Sequence, residues 1–276
     1  MTTTYVLGAG FSATCGFATD AQILNSISGY LPRPADRLGL RLTAIESIRE
    51  QVFHNDPHCG LESLLNMVYA LNYMPEYLEL DRNIFRDDAR EIRAGLRKYL
   101  KEAMAAVNWT TTGQSVLKFV RSIDWKNDSV ITFNYDLLVE HALDKLGISP
   151  SGDSILHLHG SLSDKQMAYP TARKFAYKGN KKRFGPRWKK SFEALRSLGK
   201  TDRLIFIGYS LPPTDLEARG LFNYADWYNM PLDRYSYTVT VVNNDPCVLA
   251  NYNWFRRPIT LHKMTFAEWV TAGMPA

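Results

Sequence analysis

Residues able to do chemistry follow two short apolar runs in the middle of the chain. Asn134 and Asp136 come directly after the run Ser129–Phe133, and His159 ends the run Ile155–His159. An imidazole with an ordinary pKa near ~6.5 is suited to act as a general base at neutral pH. A histidine at a strand end is also often structural, with its ring satisfied by backbone groups. Both a catalytic and a structural interpretation of His159 therefore stand at this point.

The elements around these residues are predicted to be a strand, a helix and a second strand. Ser129–Phe133 is apolar and β-branched, Leu137–Leu146 has apolar residues at helical spacing, and Gly147 ends that helix as a C-cap glycine does. A parallel strand pair joined by a helix is the simplest interpretation. Because polar groups at the carboxyl ends of such strands face the ligand crevice of an α/β sheet, Asn134 and His159 are expected to share one crevice.

A glycine-rich turn follows the first predicted strand, Tyr5–Leu7. The turn consists of Gly8, Ala9, Gly10, Phe11 and Ser12, followed by the small Ala13. It fits G-x-G-x-x-A, in which the glycines permit a tight turn and the close approach of a phosphate. One interpretation is a pyrophosphate cradle with Ser12 as an extra donor, and the other is an ordinary strand-to-helix turn. An NAD-dependent dehydrogenase would show a strand ending in an acidic residue about 20 residues further on, and the absence of one argues against a redox Rossmann domain.

The remaining pattern predicts one α/β domain over residues 1–276. The fold is expected to be Rossmann-like, with a mostly parallel sheet flanked by helices and a large helical insertion, residues 20–123, after the first strand. Further strands are predicted at Arg203–Gly208, Thr238–Val242 and Ile259–Met264. Thr214 or Asp215 is expected to cap the helix that runs to Tyr228. The insertion's predicted helices include Arg37–Phe53, Leu61–Leu71, Ile84–Val107 and Thr112–Ile123.

Composition narrows the class of protein. A formal net charge of +5 and a pI of about 9.0 permit an acidic ligand such as a dinucleotide without demanding nucleic acid. The three cysteines, Cys15, Cys59 and Cys247, are scattered, so we predict no structural zinc and a reducing, cytoplasmic location. Neither a signal peptide nor a membrane span is expected.

Two histidines lie two residues apart on one predicted strand. Side chains alternate along a strand, so His157 and His159 are expected to share one face, a spacing that metal ligands can adopt. No cluster of Cys, Asp or Glu lies beside them in the sequence to complete a site. We therefore predict that this site holds no metal.

The segment 173–190 combines basic and aromatic residues. Such a composition could bind nucleic acid through phosphate contacts and base stacking. The alternative, a solvated loop followed by an amphipathic helix, is favoured because the overall charge is modest.

Four motifs, in this order along the chain, resemble the sirtuin-like domain. They are GAGFS at 8–12, TFNYD at 132–136, LHLHGS at 156–161 and GYSLPPTD at 208–215. The resemblance covers the α/β frame. It is strongest to the compact, stand-alone branch that hydrolyses NAD in bacterial anti-phage defence systems.

The resemblance implies a role for each matching residue. Asn134 would hold the nicotinamide ribose or orient the attacking water, His159 would be the general base, and Asp136 would line the nicotinamide pocket. The implied nucleotide-binding positions are Gly8, Ala9, Gly10, Phe11, Ser12, Gly208, Ser210 and Asn243, the last at the adenosine ribose. Glu62 resembles an acidic position in the family's helical insert, and its role stays open.

The implied activity is hydrolysis of NAD to ADP-ribose and nicotinamide, with NAD as the substrate. Two alternatives stay open. One is an NAD-dependent protein deacylase, against which the missing zinc ribbon argues, and the other is a non-catalytic module that senses NAD or ADP-ribose. The resemblance also implies a homo-oligomer and a separately encoded partner, a HerA-type DNA-translocating ATPase.

Overall fold

The computed structural model describes residues 1–19, 22–23, 84–150, 152, 154–164, 167, 178–198, 202–213, 215–228 and 237–275. Within these ranges it describes the side chains as well, except those of 84–93 and 178–184. These residues are organised around one six-stranded sheet in which every neighbouring pair of strands is parallel. The strands are β1 Thr3–Leu7, β2 Ser129–Thr132, β3 Ile155–His157, β4 Arg203–Ile207, β5 Thr238–Val242 and β6 Ile259–His262.

Helices cover both faces of the sheet. They are α1 Ala9–Ala13, α2 Ile84–Ala106, α3 Gln114–Ser122, α4 Leu138–Leu146, α5 Lys178–Arg196, α6 Leu216–Tyr228 and α7 Phe266–Thr271, with a 3-10 turn at Pro246–Asn251. Core residues of α1 to α4 and α7 pack on one face, and those of α5, α6 and the 3-10 turn pack on the other. The alternation of side chains in β4 produces this division, because Ile205 and Ile207 belong to the first core and Leu204 and Phe206 to the second.

The strand order, β3-β2-β1-β4-β5-β6, places the ligand crevice. The chain adds β2 and β3 on one side of β1 and then returns to add β4, β5 and β6 on the other side. In sheets of this kind ligands bind at the carboxyl ends of the strands where the order reverses, here between β1 and β4. The turns that begin at Gly8 and Gly208 meet at this point.

The predicted fold class is confirmed, with one local correction. The described part of the predicted insertion, 84–122, contains α2 and α3, which lie in the chain between β1 and β2. Helix α4 ends at Gly147, which has a φ of 65°, as the C-cap prediction requires. The prediction that β3 continues to His159 is wrong, because the strand ends at His157 and a turn leads to Gly160. His157 and His159 therefore do not share one strand face. The helices predicted at Arg37–Phe53 and Leu61–Leu71, and with them Glu62, lie outside the described residues.

Candidate functional site

Three glycines join the β1 and β4 turns at the carboxyl edge. The Gly8 amide donates to the carbonyl of Ile207 at 3.0 Å, and the Gly10 amide donates to the carbonyl of Gly208 at 2.9 Å. A Cβ on Gly10 would lie 2.7 Å from Cα of Gly208, and a Cβ on Gly208 would lie 2.4 Å from the backbone of Gly10. Gly208 also has a φ of 58°, which favours glycine. We call this contact the glycine junction. The two backbones approach each other so closely that a side chain at these positions would have no room.

The rest of the β1–α1 turn is divided between surface and core. Ala9 is exposed and Gly10 half-buried, so this side of the turn faces outward. Phe11 is buried between Phe119 of α3 and Phe266 of α7, with ring centroids 5.7 and 4.6 Å away. The phenyl ring thus anchors the turn to the first core.

Asn134 is bonded directly to this turn. Its side-chain amide donates to the carbonyl of Gly8 and to Oγ of Ser12, both at 2.9 Å. The Ser12 hydroxyl in turn donates to Oδ2 of Asp136 at 2.6 Å. The other carboxylate oxygen of Asp136 accepts the backbone amide of Leu138 at 3.1 Å, in the first turn of α4.

Burial controls the protonation of Asp136, which is 6% exposed. Desolvation raises the pKa of this carboxyl group, and the hydrogen bonds from Ser12 and Leu138 oppose that effect only in part. Asp136 therefore links the β1 turn, Asn134 and the start of α4, and its carboxyl group is held away from solvent.

His157 supports the backbone of Asn134 from the other side. Its Nδ1 lies 3.0 Å from the carbonyl oxygen of Asn134, and its Nε2 lies 2.6 Å from Oε1 of Glu140. Burial is the largest influence on the pKa of His157 and acts to lower it. The opposing effects outweigh burial, so the pKa is raised; they come from the hydrogen bond and charge of Glu140, the carbonyl of Asn134 and the charge of Asp136. The imidazolium form suits a ring whose two nitrogens both face acceptors. We call Ser12, Asn134, Asp136, Glu140 and His157 the Asn134 cluster.

His159 lies in a second cluster on the α5–α6 side of the sheet. The residue is 3% exposed, and its Nε2 lies 3.5 Å from Oδ2 of Asp215, which is 2% exposed. The same carboxylate oxygen accepts the Tyr209 hydroxyl at 2.9 Å, and Oδ1 accepts the backbone amide of Ala218 at 3.3 Å, at the start of α6. We call His159, Tyr209 and Asp215 the His159 cluster.

Aromatic rings surround the imidazole of His159. The Phe133 ring lies edge-on at 5.1 Å, and the rings of Tyr135 and Trp188 lie at 6.1 and 6.4 Å. Phe133 also stacks on Tyr209 at 4.3 Å with an interplanar angle of 5°. This apolar wall shields the interaction between His159 and Asp215 from water.

The loop after His159 is held by two arginines. Arg187 of α5 donates to both carboxylate oxygens of Asp164, at 2.9 and 3.0 Å, and to the carbonyl of His157 at 3.2 Å. Arg97 of α2 donates to the carbonyls of Leu162 at 3.2 Å and Asp164 at 2.7 Å. Burial acts to raise the pKa of Asp164, but Arg187 and the Ser161 amide outweigh it and lower the pKa.

Trp188 adds a third contact to the same region, because its indole N–H donates to the carbonyl of Leu158 at 3.0 Å. The end of the basic segment 173–190 therefore packs inward against the His159 loop. In that segment, residues 173–177 and the side chains of 178–184 lie outside the described part of the chain.

The other two predicted nucleotide-binding residues lie further along the carboxyl edge. Ser210 is exposed in the turn after β4, where its carbonyl accepts from the side chain of Asn251 at 3.0 Å. Asn243 is half-buried at the end of β5, and its side-chain oxygen accepts the backbone amide of Asp245 at 3.0 Å.

Sequence patterns alone missed several residues of the two clusters. Asp215 was one of two predicted N-caps, with Thr214 as the alternative. Its carboxylate accepts the Ala218 amide as a cap does, and its contact with His159 was not anticipated. One signal was available: Asp-Leu begins a helix after a strand and turn at both Asp136 and Asp215. Glu140 and Arg187 gave no comparable signal, since their partners are far away in sequence.

The described residues contain neither a candidate metal site nor a candidate membrane span. Across the described ranges, His, Cys, Asp and Glu form no group of three or more that could hold a metal ion. Within the same part of the chain, no helix combines the length and apolar character needed to cross a membrane.

Comparisons with known proteins point to one family over part of the chain. Residues 128–218, about a third of the sequence, match the model of the SIR2-like domain, a segment that runs from β2 to the start of α6. It contains the Asn134 cluster apart from Ser12, and the whole His159 cluster. No curated protein matches the chain significantly.

Several solved structures are similar to this chain at low identity. A histidine-to-asparagine mutant of a Sir2 homologue with ADP-ribose is 15% identical, with a TM-score of 0.44, over 98% of this chain and 89% of that one. A phenylalanine-to-alanine mutant of a Sir2 homologue with ADP-ribose is 14% identical, with a TM-score of 0.43, over 98% and 89%. A Sir2 homologue in complex with NAD is 14% identical, with a TM-score of 0.43, over 99% and 91%.

Proposed function

We propose that this chain binds NAD and hydrolyses it to ADP-ribose and nicotinamide. The observation that carries the proposal is the position of Asn134. Its amide is fixed by Gly8 and Ser12 at the edge where the strand order reverses, within the segment that matches the SIR2-like domain.

The reaction breaks the N-glycosidic bond between nicotinamide and ribose, through an oxocarbenium-like transition state as at other glycosidic centres. Nicotinamide leaves as a neutral group, so little acid catalysis is needed. The protein mainly has to position the ribose and water and to accept one proton.

Each cluster supplies part of this chemistry. Asn134 orients the nicotinamide ribose or the attacking water with its amide, while Asp136 lines the nicotinamide pocket and holds Ser12 and the start of α4 in place. His159 accepts a proton from a ribose hydroxyl or the water. Asp215 orients the imidazole and stabilises the positive charge that the ring gains.

The outward-facing residues of the carboxyl edge would bind the rest of the dinucleotide. We assign the pyrophosphate to the exposed side of the β1–α1 turn at Ala9 and Gly10, because the opposite side of Gly10 is filled by Gly208. Ser210 and Asn243 would contact the adenosine half.

Access to His159 has to be gated in this scheme. The residue is 3% exposed, so a ribose reaches it only after Tyr135 or Trp188 moves aside. Gating suits an NAD-depleting activity that would harm the cell if it were always on. We therefore propose a role in anti-phage defence, with self-assembly and a separately encoded HerA-type ATPase as the controls. Light scattering of the purified chain tests self-assembly, and the same measurement with that ATPase present tests whether the two proteins associate.

The test of the activity is nicotinamide release by the purified wild-type chain and by Asn134→Ala, His159→Ala and His159→Gln. We expect the His159 substitutions to lower turnover by roughly 100- to 10,000-fold, the range for general acid–base catalysis. Asn134→Ala should be close to inactive, because it misplaces the ribose or the water. NAD binding should largely persist, because most of the affinity comes from the pyrophosphate and adenosine contacts. His159→Gln retains most of the buried volume, so melting temperatures separate lost chemistry from lost packing. Wild-type hydrolysis that survives these changes in folded protein would refute the catalytic assignment.

The burial of His159 also favours a second candidate, a non-catalytic module that senses NAD or ADP-ribose. Calorimetry distinguishes the two functions. A sensor binds NAD or ADP-ribose and releases no nicotinamide under any condition, including the presence of the partner ATPase.

A further inference from the structure

Three aromatic rings form a continuous stack across α5 and α6. Phe192 of α5 stacks on Tyr224 of α6 at 5.2 Å and 24°, and Tyr224 stacks on Trp227 at 5.8 Å and 19°. Tyr224 is 54% exposed and Trp227 is 52% exposed, so the outer part of the stack faces solvent. Large aromatic side chains left this exposed in a row are typical of a binding surface.

Two rings of the stack, Tyr224 and Trp227, line a groove with a volume of about 410 Å³. The groove is lined by Arg219, Gly220, Asn223, Tyr224, Trp227 and Trp254, and neither the Asn134 nor the His159 cluster contributes to it. Nothing lies within 4 Å of a Cβ built on Gly220, so the groove is open there.

The charge next to the stack is positive. Among the described side chains of helix α5, Arg187, Lys189, Lys190 and Arg196 are basic, and Glu193 is the acidic one. Lys189 approaches Glu193 at 3.8 Å, but both are exposed, and such pairs are weak. The Arg196 guanidinium lies 4.8 Å from the centroid of the Tyr228 ring, which places a cation beside the stack.

Acidic groups on α6 do little to offset this charge. Asp226 is buried and bonded to Arg257 at 2.7 Å, and Glu217 lies in the first turn of the helix, away from Trp227. The stack and groove therefore lie beside a basic helix whose charge suits a polyanion.

We propose that this surface, formed by Lys189, Phe192, Arg196, Arg219, Tyr224 and Trp227 and named here the α5–α6 face, binds single-stranded nucleic acid. Bases stack on the exposed rings, and phosphates contact the basic side chains, the combination that binds single strands without sequence preference. A duplex is disfavoured because its bases are already stacked on one another. This binding is independent of the proposed NAD hydrolysis.

The test uses the full chain and a fluorescein-labelled oligothymidine of about 16 nucleotides, the upper end of single-strand site sizes, followed by fluorescence anisotropy. We expect Trp227→Ala and Tyr224→Ala each to weaken binding by roughly 5- to 150-fold, the effect of losing one base stack. Trp227→Phe, which retains an aromatic ring, should restore most of the affinity.

The charge contribution is tested by salt dependence. The double variant Lys189→Ala/Arg196→Ala should reduce the slope of log affinity against log salt by about 1.4, because two phosphate contacts are lost. The matched control is Lys118→Ala/Arg121→Ala, which removes two exposed basic residues from α3 on the opposite face of the sheet. This control should leave affinity and slope close to wild type.

Three results would overturn the proposal. The first is no binding by folded wild-type protein, and the second is an equal loss of affinity in the α3 control, which would indicate unspecific charge attraction. The third is self-association that Trp227→Ala abolishes, without any oligothymidine binding, which would make this face an interface between copies of the chain. Because the aromatic and basic variants are independent, a folding defect in one leaves the other as a test.

Discussion

The Asn134 and His159 clusters are built on the same plan, with a buried aspartate at the centre of each. Asp136 follows β2 and Asp215 follows β4, and each accepts a backbone amide from the first turn of the next helix. Each also accepts one hydroxyl, from Ser12 at 2.6 Å or from Tyr209 at 2.9 Å. One strand–turn–helix arrangement thus occurs on both sides of the point where the strand order reverses.

The clusters differ in what the aspartate connects. Asp136 belongs to a chain of hydrogen bonds that runs from the β1 turn through Asn134 to His157 and Glu140. Asp215 faces the imidazole of His159 inside a wall of aromatic side chains. Under the proposed function, the same kind of capping carboxylate positions side chains in one cluster and assists proton transfer in the other. Substitution of the aspartate should therefore affect stability more in the Asn134 cluster and turnover more in the His159 cluster.

The largest difference is expected for Asp215→Asn. The amide oxygen can still accept one of the two hydrogen bonds, but the negative charge beside His159 is lost. We expect turnover to fall roughly 100-fold or more, while the melting temperature changes by only a few degrees. Nicotinamide release and thermal melts of the same preparation measure both. Unchanged turnover would show that the pair takes no part in the reaction.

Asp136→Ala should act mainly on stability. It leaves the Ser12 hydroxyl and the Leu138 amide without their acceptor in a buried site, so we expect the free energy of unfolding to fall by about 2–5 kcal/mol. Denaturant unfolding measures this loss. Asp136→Asn, which retains the shape of the side chain, is the control and should lose less. Equal losses in the two variants would contradict the hydrogen-bonding explanation.

A smaller effect is expected for Arg187→Ala, which releases the loop that follows His159. The loss should be about 1–2 kcal/mol, at the low end for charged hydrogen bonds because the Arg187 side chain is 33% exposed. Turnover should fall as well, since the loop no longer holds His159. The control is Arg121→Ala, an exposed arginine on α3, and stability and turnover should both stay near wild type. Equal stability and turnover in the two variants would show that the hydrogen bonds of Arg187 do not hold the loop in place.

The smallest effect concerns pH and His157. Because its pKa is raised on folding, its contribution to stability is fully present below the unfolded pKa of ~6.5 and is lost as pH rises through the folded value. The raised pKa of Asp136 also makes the protein less stable as pH rises. The contribution of His157 is therefore measured as the difference between wild type and a His157 variant. The melting temperature of wild type minus that of His157→Gln should be largest at about pH 6 and shrink toward about pH 9. A difference that grows with pH would contradict the assignment.

Local features of the sequence predicted much of the fold and only part of the site. The apolar β-branched runs predicted the strands, Gly147 predicted the end of α4, and Asp215, one of two predicted caps, caps α6. These features depend on neighbouring residues. The contact of His159 with Asp215 joins residues far apart in sequence, and it depends on β3 ending at His157, which no periodicity revealed.

The glycine junction has a consequence for ligand length. The obstacle to a Cβ at Gly10 or Gly208 is the backbone of the opposite turn, so no rearrangement of side chains makes room for one. The two halves of the sheet, β3-β2-β1 and β4-β5-β6, are therefore held at a fixed spacing along their carboxyl edge. A ligand must lie across the junction instead of between the turns. Under the proposed function, this edge is a rigid template, and a dinucleotide lies across it with one half toward Asn134 and the other toward Asn243.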